Sequence, residues 1–322
     1  MKLHAKQKNM SRNKAAQNMK KVKTKLNSNK WSKTDKVTLG LMMAPFFAVF
    51  LLFMVIPVFS SLVLSFFKYD MINAPQFNGL QNYFRMFVKD RVFMISIKNT
   101  LSFAVVTGPI GFMLSFLLAW MINELGPKSR TLLSFLFYSP ALMGNVYYIW
   151  QVMFSGDSFG YVNSLLISMG VISDPIQWFN DPQYSMKLVI IIQLWLSMGV
   201  SFLANISGLQ NIDVSLYEAG SIDGIRNRWQ ELWYITLPSM SNILLFSAVM
   251  QIQSAFSVSA IATTLTGFPS VNYSTHTIVT HLSDVSGTRF EMGYASAISV
   301  FLFALMALTR VVIGKLIDSA GK

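Results

Sequence analysis

The side chains able to do chemistry are few, and their placement is unusual. Six long apolar stretches contain no Asp, Glu, Lys, Arg or His, yet they hold Tyr147, Tyr148, Gln151, Gln193, Trp195, Asn205, Gln251, Gln253 and Ser254. Amides and hydroxyls flanked by aromatics can replace water around a neutral solute rich in hydroxyls, because each hydroxyl that leaves water needs a partner. The same groups can also join helix to helix in a bilayer, so no single residue decides between the two uses. Taken as a set, Tyr148, Gln151, Asn205, Gln251, Gln253 and Ser254 are the candidates for a solute path. Covalent chemistry has little support. There is no Cys, hence no disulfide framework and no thiolate chemistry. No GxxxxGK[ST] phosphate loop occurs, so the chain does not bind ATP by that route. His276 and His281 lie five apart in a segment that reads as a loop, and no HExxH pattern supports a metal. The expectation is a chain with no catalytic residue, no metal and no cofactor of its own.

The elements that must position these residues are membrane spans. Of 322 residues, 53% are hydrophobic and only 12% charged, against about 25% charged in ordinary soluble domains. A span needs about 20 apolar residues, and six stretches qualify: Thr38–Phe66, Thr100–Ile122, Thr131–Phe154, Leu188–Ile206, Ile243–Ala262 and Met292–Thr309. Pro45, Pro57, Pro109 and Pro140 fall inside them, where kinks rather than breaks are expected. The fold class that follows is an all-α integral membrane protein with six transmembrane helices. The first stretch is too long, and its leading tail too extended, for a cleavable signal.

Charge sets the direction. Residues 1–36 carry twelve Lys or Arg against one acid, Asp35. Such a run beside a span fixes orientation or touches anionic lipid, which is preferred here over a nucleic-acid reading. The division is therefore a basic cytoplasmic tail over 1–36 and a transmembrane domain over 37–322. Both termini lie in the cytoplasm, and 155–186, which lacks Lys and Arg, lies outside. Residues 67–99 run against this rule, with Lys68, Arg85, Lys89, Arg91 and Lys98, but the tail outnumbers them. The aromatic-rich run Asn82–Phe87 suits the membrane interface.

The most informative loop is 211–240, NIDVSLYEAGSIDGIRNRWQELWYITLPSM, on the cytoplasmic side. Ser215 and Glu218 have capping-box spacing and are expected to open a first helix; Gly224, after Asp223, is placed to end it in a left-handed turn. Asn227 and Gln230 can cap a second helix running to Pro238. Ala219 and Gly220 leave a nearly bare spot on the first helix, where another protein could come close.

This loop resembles the EAA loop of permeases in binding-protein-dependent ATP-binding-cassette importers, EAA-x3-G-x9-I-x-L-P. The matching residues are Glu218, Ala219, Gly220, Gly224, Ile235, Leu237 and Pro238; Gly220 replaces the second Ala, and ten residues rather than nine separate Gly224 from Ile235. Phe77–Phe87, Arg130, Gly293, Ala295 and Ala297 are similar to maltose-type sugar permeases, and the family's Gly-Gly-Pro stands here as Gly267-Phe268-Pro269. The resemblance covers roughly residues 38–317. It implies the type I importer permease fold, a second homologous permease, two cytoplasmic subunits that bind ATP and Mg, an extracytoplasmic solute-binding protein and a sugar substrate. The expected site is a bacterial cytoplasmic membrane, multi-pass and surrounded by lipid. The alternative is a self-contained secondary transporter or channel for a neutral solute. Absence of membrane-embedded charge weighs against ion coupling.

Overall fold

The computed structural model describes residues 33–144 and 146–320, so the basic tail expected over 1–36 falls almost wholly outside the described residues. The chain forms two units, 1–60 and 61–322. The described part of the first unit is helical: α1 (Lys33–Phe50) passes through a π turn at Leu51–Val55 into α2 (Ile56–Leu64), which runs on into the second unit. Apolar side chains lie on every side of α1, which marks a helix made for lipid or for other helices rather than for water.

In the second unit, β1 (Phe67–Lys68) pairs antiparallel with β2 (Gln76–Phe77), followed by α3 (Gln81–Phe84) and the long α4 (Arg91–Asn123). Next come α5 (Pro127–Leu142), α6 (Tyr148–Met153), α7 (Tyr161–Ser168), α8 (Ser185–Leu196) and α9 (Val200–Gln210). The chain then runs through α10 (Val214–Ile222), α11 (Arg228–Glu231), α12 (Leu237–Ser239), α13 (Ser241–Phe256), α14 (Ala260–Thr266), α15 (Ile278–Ser283) and α16 (Met292–Ala320). Among the described residues, five helical stretches are long and apolar enough to cross a membrane: Lys36–Leu64, Arg91–Asn123, Ser185–Gln210, Ser241–Thr266 and Met292–Lys315.

The expected continuous span Thr131–Phe154 is not one helix. It breaks after Leu142, where Met143 turns extended (φ −87°, ψ 113°), and helix resumes only at Tyr148. Pro140, two residues before the end of α5, removes one backbone donor. The 16-residue α5 rises only about 24 Å, short of a hydrocarbon core of about 30 Å.

The centre of the second unit is α4, packed against α9 and α13, and α16 packs against α13. Thr100, Phe103, Thr107, Gly111, Ser115 and Ala119 of α4 are buried at spacings of three and four, a seam of mostly small residues that lets helices approach closely. A Cβ on Gly111 would stand 3.1 Å from Ser197 Oγ and 3.2 Å from Gln251 Oε1. One core cluster joins Phe116, Ile122, Phe202, Leu209 and Met240; a second joins Phe93, Ala104, Ile252, Phe256, Ile278 and Ile298.

The N-terminal end of α4 is fixed by a buried polar joint in which His276 lies in a loop, as expected, while His281 does not. Asp90 caps α4 by accepting from the Phe93 amide at 2.9 Å and also accepts from Tyr294 Oη at 2.8 Å. Its Oδ2 lies 3.2 Å from His281 Nε2, and His281 Nδ1 lies 3.3 Å from His276 Nε2. His281 sits on α15, not in a loop, and both rings are buried. One tautomer chain satisfies both contacts: His276 Nε2–H donates to His281 Nδ1, and His281 Nε2–H donates to Asp90. Beside it Arg85 pairs with Glu291 at 2.7 Å and stacks over the Tyr294 ring at 4.3 Å, while Arg289 pairs with Asp284.

Burial, then the neighbouring His281 ring, pushes His276 down to about 4 from 6.5, against the pull of Asp284 and Asp90. Burial works to raise Asp90, but hydrogen bonds from His281, the Phe93 amide and Tyr294 prevail and hold its carboxyl well below the usual range. A depressed folded pKa gives stability that is complete above the unfolded value and lost as pH falls toward the folded one. For His276 that window runs from 6.5 to about 4; for Asp90 it opens only below 3.8. Lowering pH from 7.5 to 5 therefore costs on the order of 2 kcal/mol through His276. Thermal unfolding in detergent at the two pH values reads this loss, and His276→Gln should flatten most of it. An equal pH dependence in wild type and variant contradicts the assignment.

Candidate functional site

The loop over 211–240 is a hairpin of two helical pieces closed on itself. The first, α10, is capped not by Ser215 but by Asp213, whose Oδ1 accepts from the Ser215 amide at 2.9 Å. That amide bond holds the Asp213 carboxyl below its ordinary value. Asp213 starts the helix two residues earlier, so Ser215 already lies inside α10 and the expected Ser215–Glu218 box does not form. The end of α10 is as expected: Gly224 adopts φ +95°, and the Ile225 amide donates back to Gly220 O at 2.9 Å. This is a left-handed helix stop that a residue with a Cβ would strain.

Asn227 caps α11 by accepting from the Gln230 amide at 2.8 Å, while Gln230 Oε1 accepts from the Arg226 amide at 2.9 Å. The helix widens into a π turn at Leu232–Thr236 and continues through α12, so Pro238 lies inside it and the break comes at Met240. Proline lacks a donor and crowds the carbonyl four residues back; the widened turn just before it relieves that crowding.

The bare spot at Gly220 has a different use from the one its sequence suggests. Gly220 is buried, and a Cβ there would stand 2.6 Å from Ile235 Cδ1 and 3.1 Å from Ile225 Cδ1. Two of the motif positions, Gly220 and Ile235, therefore touch each other. The small residue seats the chain's own isoleucine and closes α10 onto the π turn, helped by Tyr217 Oη and Thr236 Oγ1 at 3.0 Å. What faces outward is Glu218, Ala219, Asp223, Gly224 and Pro238, with a cluster of large apolar groups the sequence reading passed over. Ile222 is 85% exposed, Trp233 65% and Tyr234 73%. Such rings on a loop face mark an interaction surface. Their signal was present in the four-residue spacing of Trp229 and Trp233. Leu237 lies half-buried behind them.

The six solute-path candidates divide into two groups. Asn205, Gln251 and Ser254 are engaged inside the bundle. Gln251 Nε2 donates to Ser197 O at 3.1 Å and to Ser201 Oγ at 2.9 Å. That carbonyl belongs to the Ser197–Gly199 break between α8 and α9, so the glutamine satisfies a backbone group the broken helix leaves free. Asn205 Nδ2 donates to Ser247 Oγ at 3.2 Å, and Gln193 Nε2 donates to Ser254 Oγ at 2.9 Å. Tyr148, Gln151 and Gln253, by contrast, are exposed. The structure does not gather the six residues into one pocket.

Among known proteins, no family model matches the chain. It is similar to a probable ABC transporter permease protein, YesP, of Bacillus subtilis (strain 168), 33% identical over 278 residues that cover 84% of this chain and 87% of that one. It is similar also to the lactose transport system permease protein LacF of Rhizobium radiobacter, 34% identical over 65% of this chain and 69% of that one. The fold is shared with a chain in the crystal structure of a bacterial ABC transporter involved in import of the acidic polysaccharide alginate. There the TM-score is 0.70 at 24% identity, covering 89% of this chain and 96% of that one.

Because their amides join helices, Asn205→Ala and Gln251→Ala should each lower the melting temperature of the purified chain. The loss is about 1 kcal/mol per interhelical hydrogen bond, and larger for Gln251, which also frees Ser197 O. Gln151→Ala and Gln253→Ala should leave melting unchanged. Equal melting of all four variants would show that the buried amides hold nothing together.

Proposed function

The chain belongs to the permease subunits of ATP-binding-cassette sugar transport systems, and on that premise we propose that it imports a sugar or oligosaccharide across a bacterial cytoplasmic membrane. It is a transport subunit rather than an enzyme; ATP and Mg are bound and ATP is hydrolysed by separate subunits. The proposed assembly pairs this chain with a second, homologous permease, two ATP-binding subunits on the cytoplasmic side and an extracytoplasmic solute-binding protein, within membrane lipid. In support, one similar chain of solved structure comes from an alginate transporter in complex with a pentasaccharide-bound periplasmic protein. In the proposed topology both termini are cytoplasmic, and α5 with α6 supplies a sixth crossing to the type I importer fold.

The observation that carries this reading is the self-closed hairpin at 211–240. Gly220, Ile235 and Gly224 fix its shape, and Glu218, Ala219, Asp223, Ile222, Trp233 and Tyr234 face outward from it. A rigid loop that shows large apolar groups to the cytoplasm is a seat for another protein, here an ATP-binding subunit. For the solute, the exposed Tyr148, Gln151 and Gln253 are the contacts, while Asn205, Gln251 and Ser254 hold the surrounding helices together. Uncharged amides and a phenol suit hydroxyls, and buried charge is not needed when hydrolysis elsewhere supplies the work.

Gly220→Asp drives a carboxylate against Ile235 and Ile225, and Gly224→Val forces a branched side chain into the left-handed region. Each should leave the amount of inserted protein unchanged, while the ATP-binding subunits no longer co-purify and uptake falls at least tenfold. Wild-type uptake in either variant would mean that this loop is not the seat.

A further inference from the structure

Besides the apolar packing of Leu232 and Leu237 against the bundle, polar and aromatic contacts tie the loop to the end of α4. Arg228, on the first turn of α11, places Nη2 2.9 Å from Glu124 Oε2 and Nη1 2.7 Å from Glu231 Oε2. One turn of α4 before Glu124, the Trp120 indole meets the Trp229 indole with centroids 5.5 Å apart. Arginine and tryptophan neighbours on the loop thus grip a carboxylate and an indole four residues apart on one face of α4. The end of α4 is held from a second side. Arg130 on α5 donates from Nη2 to Asn123 O at 2.7 Å and to Leu125 O at 3.2 Å, placing a cation at a helix C-terminus. Between these groups lies a polar cleft of about 360 Å³, lined in part by Trp120, Glu124, Arg130, Tyr217 and Arg228.

We propose that Glu124 and Trp120 are the residues through which the cytoplasmic loop moves the membrane bundle. Arg228 and Trp229 are positioning residues that act on them. This rests on the reading of the loop as the seat of an ATP-binding subunit. The loop is stiff because Ile235 fills the space beside Gly220, so a push on its outer face moves α11 with it. The first structure that α11 meets is the end of α4. That helix has 33 residues, about 50 Å at 1.5 Å per residue, and carries the seam against α9 and α13. Its other end is fixed by Asp90 to α15 and α16. Displacement at Glu124 is therefore delivered along α4 to the helices that must part. A lone exposed ion pair would contribute little. Here one guanidinium joins two carboxylates beside an indole contact, so the grip acts as a unit.

The test uses the whole reconstituted transporter, with Glu124→Ala, Arg228→Ala, the double variant and Trp120→Ala. The measured quantities are sugar taken up per ATP hydrolysed and the ATP-binding subunits retained on purification. The expected result for each single variant is a fall in uptake per ATP of about fivefold or more. The double variant should be no worse than the weaker single, because paired groups show strong non-additivity, and Glu124→Ala should retain its ATP-binding subunits. Wild-type coupling in the single variants, independent losses that multiply in the double, or loss of the subunits from Glu124→Ala would each overturn the proposal. Failure of the loop as a seat would look different: the wild-type chain itself would hold no ATP-binding subunit.

Discussion

Within a bilayer no water is available to a backbone group that a broken helix leaves free, so each must find a partner inside the protein. That constraint organises the second unit of this chain. The α8–α9 break frees Ser197 O, and Gln251 reaches across from α13 to take it. The α13–α14 break leaves Val258 O, and the Thr277 hydroxyl donates to it at 2.8 Å. Neither bond could form unless the helices stood close. The seam of glycine, serine and threonine on α4 makes that approach possible, with Gly111 facing Ser197 and Gln251 directly. Breaks in the spans, small residues on α4 and buried amides are thus one arrangement.

The same economy of small residues recurs in the cytoplasmic loop, in a setting where water is present. Gly220 gives up its side chain so that Ile235 can close the hairpin, and Gly224 takes a backbone conformation that other residues resist. A loop shaped in this way keeps its form when pushed. Its stiffness matters because α4 takes up the push at Trp120 and Glu124, while Asp90 holds the far end of that helix in a buried network. The chain therefore has a self-closed loop with an exposed apolar face and a long helix anchored at both ends.

Much of this was legible in the residues. Uninterrupted apolar runs located five of the six expected spans, because length and hydropathy alone decide whether a helix can cross. Gly224 and the Asn227–Gln230 pair were readable because caps and stops are local and depend on a few neighbouring atoms. The failures share a physical cause. Asp213, two residues ahead of Ser215, starts the helix first, and spacing rules do not rank such rival caps. Thr131–Phe154 is uncharged and long enough to cross, yet the helix stops two residues after Pro140. Gly220 looked bare because the isoleucine that covers it lies fifteen residues on. His276 and His281 looked isolated because Asp90 is distant in sequence. Contacts across such distances leave no periodic trace, and the sorting of six polar candidates into inward and outward groups was unreadable for the same reason.

The account stands or falls on the source of the work that moves the solute. The direct measurement is sugar uptake into vesicles holding this chain with its partner permease and ATP-binding subunits, binding protein outside and ATP inside, with all ion gradients collapsed. The account predicts uptake that requires internal ATP and is unaffected by ionophores. Uptake that proceeds without ATP on a proton or sodium gradient would contradict it.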